Sequence, residues 1–246
     1  MTESSPTKVG TVAAILLSAI AIAAIRHRAI RSARWCKAPS TSQLKQGSRY
    51  ESLADIHSAF ERWKSTTQNP LMTAKSLHPD LPGLIHVTDP AILNNSPPDD
   101  FDDLSPQAKQ ILSGITPSVS TIPGAFLPPR KALLDSFNQV RRFSLLTEGG
   151  RAFTKHCHRC SGGWWGSAKG PAAKVNDVAL RKVVEILDNA TWKNVFYLPG
   201  DRPVCEFRVR DGYGARWTWS ENPEEICFRG FLEPPQENGH EVGWKH

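Results

Sequence analysis

The run VGTVAAILLSAIAIAAI, from Val9 to Ile25, carries no charged residue. As a helix rising about 1.5 Å per residue it spans roughly 25 Å, a little under the usual hydrocarbon thickness. Ala29 and Ile30 extend its apolar length if the stems of Arg26 and Arg28 snorkel toward headgroups. A cleaved signal peptide would carry its positive charge ahead of the run, where only Lys8 stands. A buried core helix would not place Ala, Ile and Leu on every face of a soluble domain. The pattern predicts a single transmembrane helix over 9–25, behind a short tail of residues 1–8. Arg26, Arg28, Arg31, Arg34 and Lys37 follow it without an intervening acid. By the positive-inside rule they stay in the cytoplasm, and the rest of the chain stays with them. The expected location is a membrane, single-pass, with the C-terminal domain cytosolic. The basic flank, within the linker 26–47, is placed to meet anionic lipid headgroups.

The net charge is +6, yet beyond residue 38 there are 24 Lys+Arg against 23 Asp+Glu. The positive excess sits beside the apolar run, whereas a nucleic-acid binder carries it on a folded surface. The charge distribution therefore argues for no nucleic acid among the partners. Five cysteines, an odd number scattered along the chain, do not make the framework of a small secreted domain and are read as reduced thiols.

Two segments make up the body, 48–128 and 129–246. Ser48 and Glu51 form a capping-box pattern ahead of Leu53, Ile56, Phe60 and Trp63, which recur at helical spacing on one core-facing stripe. From 66 to 129 prolines crowd the chain and predict an irregular stretch. Within it, Ser105-Pro106 reads as the cap and first turn of a short helix. Asp99, Asp100, Asp102 and Asp103 lack the spacing of a calcium loop and read as a solvated acidic turn. PRKALLDSFNQVRRF predicts a helix with Leu133, Leu134, Phe137 and Val140 on its apolar face, stopped by Gly149-Gly150. NDVALRKVVEILDNA predicts another, capped by Asn176 or Asp177. Then the period changes. NVFYL, VCEFRVR, ARWTW and ICFRGFL are short β-rich runs between turn-forming segments, the signature of an antiparallel meander. Cys205, Phe207 and Val209 would face inward, with Glu206, Arg208 and Arg210 toward water. The predicted fold class is α+β: a transmembrane helix, a helical and Pro-rich middle, and a small C-terminal antiparallel sheet packed on helices.

Chemistry concentrates in two places. KHCHRC sets His156, Cys157, His158 and Cys160 within five residues, and Cys157 and Cys160 have the C-x-x-C spacing at which two thiolates reach one zinc. A second close pair is missing, so Cys205 and Cys227 would have to complete the site; the bland alternative is a basic turn before the glycine-rich loop that holds Trp164 and Trp165. The C-terminal tail offers His240 beside Glu241 or Glu233 as an acid/base pair, with Arg216, Arg229 and Glu233 as cross-strand ion pairs and Trp244 as a plug. Against catalysis at His240, Glu233 or Arg229 stands plain structural closure. No phosphate loop, nucleophile elbow, zincin helix or kinase signature is present.

The pattern DGYGARWTW … FRGFLEPPQENGHEVGWKH, over roughly 195–246, resembles a group of small uncharacterised fungal proteins that share such a C-terminal signature. The resemblance implies a recurring terminal module and carries no activity, cofactor or catalytic residue with it. The sequence thus favours a membrane-anchored accessory or binding protein. The rival reading is an enzyme with its site between the C-terminal sheet and the 156–160 turn, with zinc as its metal.

Overall fold

A computed structural model describes residues 53–66, 68–70, 86–140, 142–157, 163–219 and 225–235. They lie within the second of two units into which the chain divides, Ala38–His246. The six helices among them are α1 (Leu53–Thr66), α2 (Pro90–Leu93), α3 (Pro106–Leu112), α4 (Arg130–Asn138), α5 (Glu148–His156) and α6 (Ala172–Asn189). Four strands follow: β1 (Trp192–Leu198), β2 (Arg202–Arg208), β3 (Gly214–Trp219) and β4 (Ile226–Leu232). They pair antiparallel in the order β1-β2-β3-β4, the predicted meander.

No helix among the described residues is long and apolar enough to cross a membrane. The longest, α6 at 18 residues, carries Lys174, Asp177, Arg181, Lys182, Glu185 and Asp188 along its length and is amphipathic. This corrects the expected single-pass architecture: the described fold is α+β without a membrane-spanning element. The 9–25 segment, its basic flank and the Ser48/Glu51 capping box lie outside the described residues.

Two clusters of buried side chains organise the fold. In the first, Ile56, Phe60 and Trp63 of α1 pack on Ile92, Leu104, Ala108, Ile111 and Leu112. Trp63 Nε1 donates to Asn95 Oδ1 at 2.9 Å, so its polar edge is satisfied. Ser105 caps α3 by accepting from Ala108 N, with Pro106 in the first turn, as its sequence dictates. In the second cluster, aromatics join the sheet to the helices. Phe137 of α4 meets Phe228 and Phe231 edge-on, Phe153 of α5 meets Phe231, and Trp217 of β3 donates from Nε1 to Leu133 O. Full burial of each such ring is worth about 1.5–3 kcal/mol.

Three local predictions are redrawn. The helix expected through Val140 ends at Asn138, because Gln139 is extended (φ −58°, ψ 135°), and Val140 is exposed. Gly149-Gly150 do not stop that helix; they open α5, where Thr147 accepts from Gly150 N as the cap. A Cβ at Gly149 would collide with the Phe137 ring, so the glycine is needed for helix approach. Asn176 does not cap α6, which begins four residues earlier behind Pro171. Its side chain instead accepts from Thr147 N and donates to Leu145 O, both at 3.0 Å, pinning the α4–α5 connection to α6.

Residues 116–122 run along the free side of β1. Thr116 N donates to Lys193 O (2.7 Å) and Ile122 N to Val195 O (2.9 Å), while Gln110 Nε2 ties the same segment down through Ile122 O and Ala125 O. The Pro-rich middle therefore includes a well-bonded strip that covers a sheet edge.

Candidate functional site

Strand β2 pairs with β1 on one edge and β3 on the other, and its alternation decides what each face carries. Cys205 and Phe207 stand opposite Trp217 and Ala215 on the face that meets the helices. Glu206 and Arg208 take the other face. The sequence sent them to water; the structure buries both, at 2% and 8% exposure. The reason is mutual neutralisation. Glu206 Oε1 accepts from Arg208 Nε at 2.5 Å, and Oε2 accepts from Arg216 Nε at 2.7 Å and Nη2 at 2.6 Å. Arg208 Nη1 continues to the carbonyls of Gly212 (2.5 Å) and Glu233 (2.9 Å). A buried carboxylate with both oxygens engaged by guanidinium is stable; either partner alone would be a costly buried charge.

Asn194 of β1 stands directly opposite Glu206. It accepts from Thr121 Oγ1 and donates to Ser118 Oγ, each at 2.9 Å. One polar row therefore crosses the face turned away from α4 and α5, from the 116–122 strip through Asn194, Glu206 and Arg216 to Gly230 of β4.

Arg229 sits where that row meets a β-bulge. Arg216 pairs with Gly230 and Trp217 with Phe228, which leaves Arg229 as the extra residue. It is exposed. Partial desolvation, and then the like charges of Arg216 and Arg202, hold its guanidinium below the ordinary arginine value. It makes no ion pair among the described residues, and Arg202 is exposed at the start of β2. The expected pairing of Arg216 and Arg229 with Glu233 does not form: Arg216 is committed to Glu206.

Glu233 has other partners. Its Oε1 lies 2.8 Å from His156 Nδ1 and accepts from Trp165 Nε1 at 2.9 Å. A carboxylate accepts, which puts the hydrogen on Nδ1. His156 ends α5 and is 5% exposed, Glu233 follows β4 at 3%, and Phe231 and Trp165 flank the imidazole. The structure thus joins a residue of the sequence's metal motif to one of its proposed acid/base pair. Cys157 is the C-cap residue of α5, and burial pushes its thiol up. Burial, then Glu225 and Glu148, push the Cys227 thiol up as well, and Cys205 is buried in the sheet. Among the described residues no three His, Cys, Asp or Glu side chains gather to hold a metal, and the four acidic-loop aspartates are exposed. His158, Cys160, His240, Glu241 and Trp244 lie outside the described residues.

Sequence reasoning missed Glu206 and Arg208. No local signal marks them, because their burial depends on Arg216 and Glu233, which are distant in sequence.

No curated protein and no solved structure matches the chain. Residues 136–233 do match a family model, described as the CdiA C-terminal tRNase toxin domain. The match begins within α4 and ends at Glu233, so it takes in Glu206, Arg208, Arg216, Arg229 and His156. It overturns the reading of a non-catalytic accessory protein held at a membrane, and with it the exclusion of nucleic acid. What this stretch of the chain is similar to is a toxin domain that acts on tRNA.

Proposed function

We propose that the sheet and helices over 136–233 form a ribonuclease domain that cleaves tRNA. The observation that carries this reading is the Glu206–Arg208–Arg216 cluster, on the sheet face turned away from α4 and α5 and inside the matched residues. RNA can be cut by its own 2′-hydroxyl. That oxygen attacks the adjacent phosphorus, the bond to the 5′ oxygen breaks, and a 2′,3′-cyclic phosphate and a 5′-hydroxyl remain. The step needs a proton acceptor at the 2′-hydroxyl and cations around the phosphorus as charge builds.

Arg229 and Arg202, exposed on this side of the sheet, attract the RNA backbone. Arg216 is the reachable member of the cluster, with 15% of its side chain exposed. A scissile phosphate competes with Glu206 for its guanidinium. As Arg216 turns to the phosphate, Glu206 Oε2 is released to take the 2′-hydroxyl proton. Arg208 keeps Oε1 in place, because its own position is fixed by two main-chain carbonyls. Water protonates the departing 5′ oxygen.

The 2.8 Å contact between His156 and Glu233 supports a second reading, in which the imidazole carries the proton and Glu233 orients it. One experiment tests the function and separates the two. The full chain is incubated with tRNA and the product ends are mapped. Wild-type protein yields 2′,3′-cyclic phosphate and 5′-hydroxyl ends, and Glu206→Gln abolishes them while His156→Gln leaves them. The reverse pattern moves the proton to His156, and intact tRNA with folded wild-type protein ends the proposal.

A further inference from the structure

The proposed centre leaves a groove outside the matched residues unused. It measures about 520 Å³ and is lined by His86, Thr88, Asp89, Ser118 and Thr121 together with Val119 and three proline rings. That volume falls in the range of small-ligand sites, which combine apolar walls with a few polar groups. No lysine or arginine lines it. Its chemistry suits an uncharged, flat, hydrogen-bonding group rather than a phosphate. The imidazole of His86 and the hydroxyl of Thr88 can read the edge of a heterocycle, while Ser118 and Thr121 are engaged with Asn194. Asp89 accepts from Ile92 N through Oδ1, which leaves carboxylate acceptor capacity.

Ser118 and Thr121 fix the position of this groove relative to the proposed centre. The same hydroxyls that line it hold Asn194, and Asn194 stands directly opposite Glu206 on the neighbouring strand. Paired strands lie about 4.8 Å apart. An RNA with one phosphate at Arg216 therefore has a flanking base within reach of the groove. Charge divides the two surfaces in the same way, with guanidinium on the sheet face for the backbone and, in the groove, polar groups without a cation for a base.

Resting on the ribonuclease reading, we infer that this groove is a nucleobase-binding subsite, which receives an unstacked base next to the cleaved phosphate and makes the enzyme select single-stranded loops. Unstacked bases are what proteins read in RNA, because the deep groove of an A-form duplex hides base edges.

The test pairs binding with cleavage. Uridine, cytidine, adenosine and guanosine are each added to the full chain, with ribose 5-phosphate as the base-free probe, and saturation-transfer NMR reads contact. In parallel, kcat and KM are measured on tRNA. The variants are Val119→Trp, at a position 80% exposed, which plugs the groove without touching the core, and the isosteric Thr88→Val. The expected result is transfer to at least one nucleoside and none to ribose 5-phosphate, lost in Val119→Trp. KM for tRNA rises about tenfold or more in that variant while kcat is unchanged; Thr88→Val gives a smaller rise. tRNA cleavage with unchanged KM in both variants overturns the subsite and leaves the ribonuclease standing. Nucleoside contact that Val119→Trp abolishes, in a protein that cuts no RNA, keeps the subsite and removes the ribonuclease. Transfer to ribose 5-phosphate alone overturns the assignment of a base.

Discussion

Arg208 Nη1 lies 2.9 Å from the main-chain oxygen of Glu233, which joins the middle of the sheet to the end of its last strand. The other edge of the same guanidinium holds Glu206. Through this one side chain the Glu206 centre and the His156–Glu233–Trp165 cluster become a single bonded assembly, although they belong to different faces of the sheet. Removing Arg208 would leave a buried carboxylate with Arg216 as its remaining cation, and a Glu233 carbonyl without its donor.

Glu206→Ala is therefore expected to cost stability as well as activity. It leaves two arginines facing a lost partner, Arg208 with its side chain 10% exposed and Arg216 15%. Breaking a buried pair from one side costs about 3–5 kcal/mol. Urea unfolding should show that loss, and Glu206→Gln, which keeps shape and an acceptor, should lose less. RNA cleavage should fall by about 10²–10⁴-fold in Glu206→Gln, the usual contribution of a proton acceptor. A Gln variant that retains activity refutes the role.

Arg229→Ala should separate binding from stability. The residue is exposed and is repelled by Arg216 and Arg202, so its loss leaves the melting temperature unchanged or slightly raised. RNA affinity should drop, and the slope of log K against log salt should become shallower by about one unit. Fluorescence titration at three salt concentrations measures both. An unchanged slope removes Arg229 from the phosphate path.

Glu233→Ala should be worse than Glu233→Gln. Alanine strips the acceptor from both the imidazole of His156 and the indole of Trp165, two buried donors. Each orphaned group costs about 1–3 kcal/mol. Glutamine retains a carbonyl oxygen near Oε1. Urea unfolding ranks the two, and Trp165, 1% exposed, should shift its emission to the red only in the alanine variant.

Cys157 should be sluggish toward alkylation at neutral pH. Its raised pKa means that less thiolate exists at any given pH than for a free thiol. The linkage follows from proton counts. Above the ordinary cysteine value the unfolded chain has released a proton that the folded chain keeps, so stability declines as pH rises through that window up to the folded value. Iodoacetamide kinetics from pH 7 to 10, with peptide mapping, check the order: Cys157 and Cys227 slower than an unstructured cysteine.

The meander was legible because alternation and turn residues are local signals. The Gly200 and Asp201 turn, with φ of 84° and 56°, needs nothing beyond its own sequence. The Trp63 stripe was legible for the same reason. The centre was not. Glu206 and Arg208 read as a water-facing pair because their burial depends on Arg216, ten and eight residues later, and on Glu233 beyond it. The tail's Glu233 stood out, but its partner turned out to be His156, 77 positions earlier. The charge distribution misled for a physical reason: near-neutral totals conceal an arginine-bearing face whose acids are turned inward.

The strip over 116–122 also fixes where the domain can be cut. Residues 136–233 alone would leave the Lys193 and Val195 carbonyls without their donors and Asn194 without its hydroxyl partners, on a bare β1 edge. Such an edge recruits neighbouring chains. A monomeric fragment is therefore expected to need the 116–122 strip as well as the matched segment.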